Sequence, residues 1–394
     1  MARRRISIFG ATGSIGQSTL DLIRRQPDAY DVVVLTGGRN VAQLAADAIE
    51  FRADVAVTAF DDCYYALKQA LSGSGIAVAA GQGAILDAAD RPADWIMSAI
   101  VGAAGLAPGL RALQQGTTLA LANKESLVTA GTLLMATARE FGATILPVDS
   151  EHSAVFQSLV GEDIDTVETV TITASGGPFR EWPVGKMARA TLQEALNHPN
   201  WSMGQRITID SASMFNKALE VIETREFFQF RPDQIKVLFH PESRIHALLG
   251  FVDGGMIAHL GAPDMRHAIG YALNWPHRSH LPVERLDLAK LGTLRFEAPD
   301  DVRFPALRLA REVMETGGLA GAVFNAAKEQ ALNGFIAGQI GFMDMAAVVE
   351  DVLTQLSSRA GHIDAHVTLD NVIEIDHLAR QRARDAMTTR QAKA

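Results

Sequence analysis

The residues able to do chemistry fall in several separated stretches. Gly10-Ala11-Thr12-Gly13-Ser14-Ile15-Gly16 lies between a short apolar run and a segment with helical spacing. A glycine-rich turn there lets backbone N–H groups approach a pyrophosphate at a helix N-terminus. The spacing is G-x-x-G-x-x-G rather than G-x-G-x-x-G, so a plain tight turn is the competing reading. The next strand-like run ends Leu35-Thr36-Gly37-Gly38-Arg39-Asn40. An NAD site needs an acidic residue for the ribose at this point, and none is present. Arg39 suits a 2′-phosphate instead, which favours NADP, unless it is merely solvated.

Asp149 and Glu151, in Pro147-Val148-Asp149-Ser150-Glu151, stand where a strand ends and a helix begins. Two carboxylates so placed can converge on a hard cation such as Mg²⁺ or Mn²⁺. They can equally cap the helix. Asp210-Ser211-Ala212-Ser213-Met214-Phe215-Asn216-Lys217-Ala218-Leu219-Glu220 enters a helix expected over 213–228. Ser213, Asn216, Lys217 and Glu220 are then spaced to share one face. That face is either solvated or functional. Lys217 with Asn216 and Ser211 makes an anion-binding set, and Glu220 could be a third carboxylate for a metal. Ser175-Gly176-Gly177 follows another strand and permits close approach of backbone to a phosphate. His198-Pro199-Asn200-Trp201-Ser202-Met203-Gly204 puts large apolar side chains in a polar loop, as a lid would, or as a buried anchor would.

The elements positioning these residues follow from periodicity. Strand-like runs at 5–9, 31–35, 55–58, 95–101, 118–121 and 144–148 alternate with helical segments at 15–25 and 41–51 and later. Such alternation predicts a Rossmann-like parallel sheet covered by helices, with ligands at the carboxyl ends of strands. From about 150 the pattern changes to strands at 167–173, 236–239, 245–249 and 256–260 around one strong helix, an α+β domain with a mixed sheet. Residues 275–300 hold Pro276, Pro282 and Pro299 and read as a linking arm. Helical segments at 305–316, 321–337, 342–357 and 369–386 predict a C-terminal helical bundle. The expected division is 1–149, 150–274, 275–300 and 301–394.

Composition limits the partners. The 394 residues carry 36 Lys and Arg against 45 Asp and Glu, a net charge of −9, with 48% hydrophobic residues. This is a globular composition. An acidic chain argues against general nucleic-acid binding, so positive charge for an anionic ligand must be local. The one cysteine, Cys63, excludes a disulfide framework within the chain and fits a reducing cytoplasm. It follows Asp61 and Asp62, which disfavour a thiolate. Met1-Ala2-Arg3-Arg4-Arg5 imitates the start of a signal peptide, but no apolar core with a cleavage site follows. The most apolar stretch, 95–110, is broken by glycines and a proline, so no membrane span is expected.

Together these motifs, with Leu121-Ala122-Asn123-Lys124-Glu125-Ser126 and the Leu260–Arg266 stretch, closely resemble the 1-deoxy-D-xylulose 5-phosphate reductoisomerase family over nearly the whole chain. The resemblance implies an NADPH- and metal-dependent enzyme of non-mevalonate isoprenoid biosynthesis, a phosphosugar substrate and a homodimer. It implies that Thr12, Gly13, Ser14 and Ile15 hold the pyrophosphate and that Gly38, Arg39 and Asn40 surround the 2′-phosphate. Asn123, Glu125 and Gly204 would lie by NADPH. Asp149, Glu151 and Glu220 would bind Mg²⁺ or Mn²⁺. Lys124, Ser150, Glu151 and Glu220 would touch the substrate backbone. Ser175, Ser211, Asn216 and Lys217, with His198 nearby, would hold its phosphate. Trp201 and Met203 would belong to a flap. Lysine is common in the family where Arg39 stands, which preserves the charge. A semialdehyde-type reductase would need a nucleophilic cysteine, and Cys63 is badly placed for that. A non-catalytic NADPH sensor would not need three carboxylates and a phosphate set.

Overall fold

The computed structural model describes residues 3–201, 203–358, 361 and 363–391. Ser202 of the lid loop, Met1 and Ala2 of the basic start, and Lys393 of the C-terminal tail lie outside the described residues. Two compact units are present: residues 1–126, 134–153 and 264–283 form one, and residues 127–133, 154–263 and 284–394 the other.

The first unit is a seven-stranded, all-parallel sheet. Its strands are β1 (Arg4–Phe9), β2 (Tyr30–Gly37), β3 (Val55–Thr58), β4 (Ala77–Ala80), β5 (Trp95–Ser98), β6 (Thr118–Leu121) and β7 (Thr144–Pro147), in the order β4-β3-β2-β1-β5-β6-β7. The run Val32-Val33-Val34-Leu35 in β2 is fully buried, as a parallel strand covered on both faces requires. The helices between strands are α1 (Ser14–Arg24), α2 (Val41–Phe51), α3 (Tyr64–Ala70), α4 (Gly81–Ala89) and α5 (Leu106–Leu113). α6 (Lys124–Glu140) and α7 (Ser150–Ser158) carry residues of both units. The chain steps outward from β1 to β4, then returns to place β5 on the other side of β1. This reversal puts a ligand crevice beyond the ends of β1 and β5.

The first strand of the second unit is β8 (Val167–Ala174), followed by the single-turn helices α8 (Val184–Met187) and α9 (Leu192–Ala195), then α10 (Gln205–Ala212) and α11 (Phe215–Phe228). Three further strands, β9 (Ile235–Phe239), β10 (Ile245–Phe251) and β11 (Met256–Leu260), complete a mixed sheet in the order β11-β10-β8-β9. β8 runs parallel to β9 and antiparallel to β10. α12 (Met265–Asn274) belongs to the first unit and packs on α1. Arg266 bridges there to Asp21 at 3.0 Å, and the Trp95 indole donates to Ala272 O at 3.1 Å. After the short α13 (Leu288–Leu291) come α14 (Pro305–Thr316), α15 (Ala320–Ile336), α16 (Asp344–Ser357) and α17 (Leu369–Gln391), with α15 packed against the other three. Among the described residues no helix is long and apolar enough to cross a membrane.

The helix expected over 213–228 is α11, which starts at Phe215, and a separate helix, α10, ends just before it at Ala212. Met214 takes a left-handed conformation, φ +62°, which stops α10 and starts α11 in a new direction. Ser213 therefore caps the end of α10, donating to Ile209 O at 2.9 Å, and does not share a face with Asn216, Lys217 and Glu220.

Candidate active site

The glycine turn sits at the end of β1, at the point of reversal. Gly10 has φ +89°, and a Cβ there would lie 2.4 Å from Ala99 O, just past β5. A Cβ at Gly16 would lie 2.4 Å from the carbonyl oxygens of both Gly10 and Ala11. Both contacts are too close for any side chain, so glycine is required where the turn folds back on itself. The Gly10 amide donates to Thr36 Oγ1 at 3.0 Å, and the Ala11 amide to Thr36 O at 2.7 Å, which ties the turn to the end of β2. Gly13 is the N-cap of α1 and offers no side-chain cap, while Gly13 and Ser14 are exposed and Thr12 and Ile15 half-buried. The first-turn amides of this eleven-residue helix thus have no side-chain acceptor at the cap. That is the donor set a pyrophosphate needs.

Gly38, Arg39 and Asn40 follow β2 as expected, but two of the side chains already have work. Asn40 Oδ1 accepts from the Gln43 amide at 3.3 Å and caps α2. Arg39 Nη1 donates to Asp62 Oδ2 at 2.7 Å, and its guanidinium lies 4.1 Å from the centre of the Phe60 ring. The hydrogen bond to Asp62 raises the guanidinium pKa further. Phe60 and Asp62 were not legible as partners, because they follow β3 rather than β2. Cys63 Sγ is 4.0 Å from Arg39 Nη1, a cationic neighbour that its Asp-Asp context does not suggest.

Asn123 is 2% exposed, and its amide donates to Gly102 O at 2.9 Å and Glu125 Oε2 at 2.8 Å. It orders the start of α6, from which the buried Lys124 projects. Lys124 Nζ reaches Asp149 Oδ2 at 2.5 Å. Asp149 Oδ1 lies 3.5 Å from His152 Nδ1 and accepts from the Glu151 amide at 3.3 Å. Burial opposes ionisation of Asp149, yet Lys124 and His152 outweigh it and hold the carboxyl well below its usual range. Capping and charge storage therefore coexist: one oxygen caps α7 and the other faces a cation. The Ser150 hydroxyl donates to Glu151 Oε2 at 2.5 Å, which orients that carboxylate. Ionised oxygen donors at the end of β7 are the ligand chemistry of Mg²⁺ or Mn²⁺.

In the second unit, α11 is buried almost all round, and its polar residues are part of that interior. Lys217 is 3% and Glu220 1% exposed. Lys217 Nζ donates to Glu220 Oε2, and Asn216 Nδ2 donates to Glu220 Oε1 at 2.5 Å. A solvated face is thereby excluded for Lys217 and Glu220. Buried charges at adjacent turns are costly unless paired, and here they are paired.

The Ser175–Gly177 loop and the 198–201 segment meet. Gly177 has φ +62°, and a Cβ there would lie 3.0 Å from Ala212 Cα and 3.1 Å from Ser211 O, so the loop presses on the end of α10. Ser175 Oγ is 3.0 Å from His198 Nε2 and accepts from the Gly177 amide at 3.2 Å. His198 Nδ1 accepts from the amides of Asn200 at 3.1 Å and Trp201 at 2.9 Å. An imidazole nitrogen accepting two amides carries no proton, so the neutral ring holds its proton on Nε2 and donates it to Ser175. Ser175 then has its own hydroxyl proton left for a ligand. Burial pushes the His198 pKa down to about 4. The ring stays neutral through physiological pH. The unfolded ring protonates near its ordinary pKa of about 6.5, so this site is fully stabilising above that pH and loses stability as pH falls toward 4. In an NMR titration the His198 ring resonance should show its midpoint near 4. A midpoint above 6 would contradict the assignment. Trp201 and Met203 are half-buried, and Gly204 is the exposed N-cap of α10.

Comparison with known proteins matches this arrangement to one family. The model of 1-deoxy-D-xylulose 5-phosphate reductoisomerase matches residues 6–131, and the models of its C-terminal domains match residues 145–228 and 260–382. The chain is 68% identical over 389 residues to the 1-deoxy-D-xylulose 5-phosphate reductoisomerase of Ruegeria pomeroyi, covering 99% of this chain and 98% of that one. Its fold matches the Zymomonas mobilis reductoisomerase solved with NADPH, with a TM-score of 0.91, 46% identity and coverage of 98% and 99%. It also matches a reductoisomerase solved with NADPH, fosmidomycin and magnesium, with a TM-score of 0.92, 39% identity and coverage of 98% of each chain. The chain belongs to the 1-deoxy-D-xylulose 5-phosphate reductoisomerase family.

Proposed function

We propose how this chain divides its family's reaction among its residues. The reaction is the NADPH-dependent rearrangement and reduction of 1-deoxy-D-xylulose 5-phosphate to 2-C-methyl-D-erythritol 4-phosphate, a step in non-mevalonate isoprenoid biosynthesis. The observation that carries the assignment is the Asp149 carboxylate, kept ionised at the end of β7 beside Glu151. Asp149, Glu151 and Glu220 hold the divalent ion, Mg²⁺ or Mn²⁺. The ion, when bound, polarises a substrate carbonyl, and NADPH supplies the hydride.

The chain's own groups then bind, orient and exclude water. Lys124 balances the charge of Asp149 and, with Ser150, reaches the oxygenated backbone of the substrate. Ser175, Ser211, Asn216 and Lys217 grip the phosphate, with His198 holding Ser175 in its donating orientation. Binding energy from that remote phosphate closes Trp201 and Met203 over the site. Thr12, Gly13, Ser14 and Ile15 take the pyrophosphate of NADPH, Gly38, Arg39 and Asn40 surround its 2′-phosphate, and Asn123, Glu125 and Gly204 flank it. By function the chain divides into 1–149 for the cofactor, 150–274 for catalysis, 275–300 for the arm and 301–394 for the helical domain, although α12 packs within the first compact unit. The family resemblance supports a homodimer, and the lone cysteine supports a cytoplasmic enzyme.

Arg39→Ala should raise the KM for NADPH by about 10–100-fold and change that for NADH little, because only the 2′-phosphate loses its partner. Steady-state kinetics with the two cofactors would check this. The function itself is tested by incubating the chain with 1-deoxy-D-xylulose 5-phosphate, NADPH and Mg²⁺ and identifying the product by NMR. The expected product is 2-C-methyl-D-erythritol 4-phosphate. Consumption of NADPH with recovery of an unrearranged, simply reduced sugar would refute the assignment.

A further inference from the structure

The break at Ser213 and Met214 has a structural cost for the phosphate subsite. Ser211 lies at the end of α10, and Asn216 and Lys217 lie at the start of α11. No continuous helical hydrogen-bond ladder runs between them, so their relative positions must be set by something else. α15 provides it. Phe324 meets Phe215, the first residue of α11, with ring centres 5.7 Å apart. Lys328 Nζ reaches Asp210 Oδ2, next to Ser211, at 3.0 Å. Asn333 Oδ1 accepts from Arg206 Nη1 at 2.6 Å, one turn earlier in α10. Residue numbers rise along α10 as they fall along α15, so the two helices run antiparallel and are clamped at two points. Lys328 is 3% and Asp210 7% exposed. The same end of α10 bears on Gly177.

We propose that Lys328 is a positioning residue for the substrate phosphate. Through Asp210 it holds the end of α10, and with it Ser211 and the Ser175–Gly177 loop, in register with Asn216 and Lys217. This rests on the phosphate assignment made above. A buried lysine that only stabilised the fold would affect all ligands alike. A positioning lysine affects the phosphate first.

The test compares Lys328→Met, Asp210→Asn, the double variant, Lys328→Arg and Ser211→Ala. For each, kcat and KM for 1-deoxy-D-xylulose 5-phosphate are measured, together with the inhibition constant of inorganic phosphate and the Kd of NADPH by fluorescence. Lys328→Met should lower kcat/KM and raise the phosphate inhibition constant, each by about tenfold or more, while the NADPH Kd stays within about twofold. The double variant should be no worse than the worse single variant, because the two residues act as one unit. Lys328→Arg keeps the charge and the donor and should recover a large part of the loss. The double variant removes both charges of the Lys328–Asp210 pair, so it carries the test if Lys328→Met fails to fold. An unchanged phosphate inhibition constant, or purely additive losses, would overturn the proposal. If Ser211→Ala weakens phosphate inhibition and Lys328→Met and the double variant do not, the positioning role alone fails. If Ser211→Ala leaves it unmoved, the phosphate assignment fails first.

Discussion

Glu220→Gln should lower kcat by about 10²–10³-fold or more, the range seen when one group that stabilises transition-state charge is removed. Glutamine is nearly isosteric, and it can still accept a hydrogen bond from Asn216 or Lys217. It cannot supply the negative charge that a divalent ion requires. The loss should therefore fall on turnover and on the apparent metal affinity, while the Kd of NADPH stays within about twofold, because the residues proposed for its phosphates lie after β1 and β2 and at the start of α1. Titration of the variant with Mg²⁺ or Mn²⁺ at saturating substrate separates the two effects. Recovery at high metal points to a weakened ligand, and flat loss to a role in the chemical step. Near-normal turnover at ordinary metal concentration would remove Glu220 from the site. Because Glu220 is 1% exposed and bonded to both Asn216 and Lys217, thermal melting must accompany the kinetics.

The second large effect is expected at Lys217. Methionine fills similar volume and removes the ammonium. Charge-assisted contacts to a phosphate dianion are strong in a water-poor site, so Lys217→Met should lower kcat/KM by about 10²–10³-fold. The change also leaves Glu220 buried without its cation, at a cost of about 3–5 kcal/mol if no other partner compensates. Stability and phosphate binding can be told apart by adding metal. A divalent ion bound at Glu220 restores the charge balance there, so the melting temperature should rise toward that of the parent while kcat/KM stays low. Recovery of kcat/KM along with stability would show that Lys217 serves the fold and not the substrate.

Much of this was legible in the chain before its fold. Val55–Thr58, Thr118–Leu121 and Met256–Leu260 read as strands and are strands over those same residues. Their runs are apolar, β-branched or alternating, and they leave one choice of period. β4 was missed because Ala77-Val78-Ala79-Ala80 has little β-propensity and gains its conformation by pairing with β3 at the sheet edge. The start of α11 was placed at 213 rather than 215 for a related reason. Neither Ser213 nor Met214 is a helix breaker, and the left-handed turn at Met214 is imposed by packing around a side chain that is 1% exposed. That misplacement put Ser213 on the face of Asn216, Lys217 and Glu220, where it does not lie.

The site shows the same division. Residue types that can serve only a few purposes, such as Gly10, Gly16 and Asp149, stood out from their spacing. Residues acting through a second side chain did not. Asp62 holds Arg39 across 23 positions and Lys328 holds Asp210 across 118. No local pattern encodes such pairs. A lysine in the apolar run of α15 reads as a solvated side chain until the fold buries it.

One reaction couples oxidation of NADPH to a metal-dependent rearrangement of a phosphosugar. The most direct measurement is the initial rate of loss of NADPH absorbance with 1-deoxy-D-xylulose 5-phosphate, recorded with Mg²⁺, after EDTA, and after excess Mg²⁺ is restored. Oxidation should require both the substrate and the ion, stop with EDTA and return with the metal. Oxidation that continues in EDTA, or that never begins with substrate and metal both present, would contradict the account.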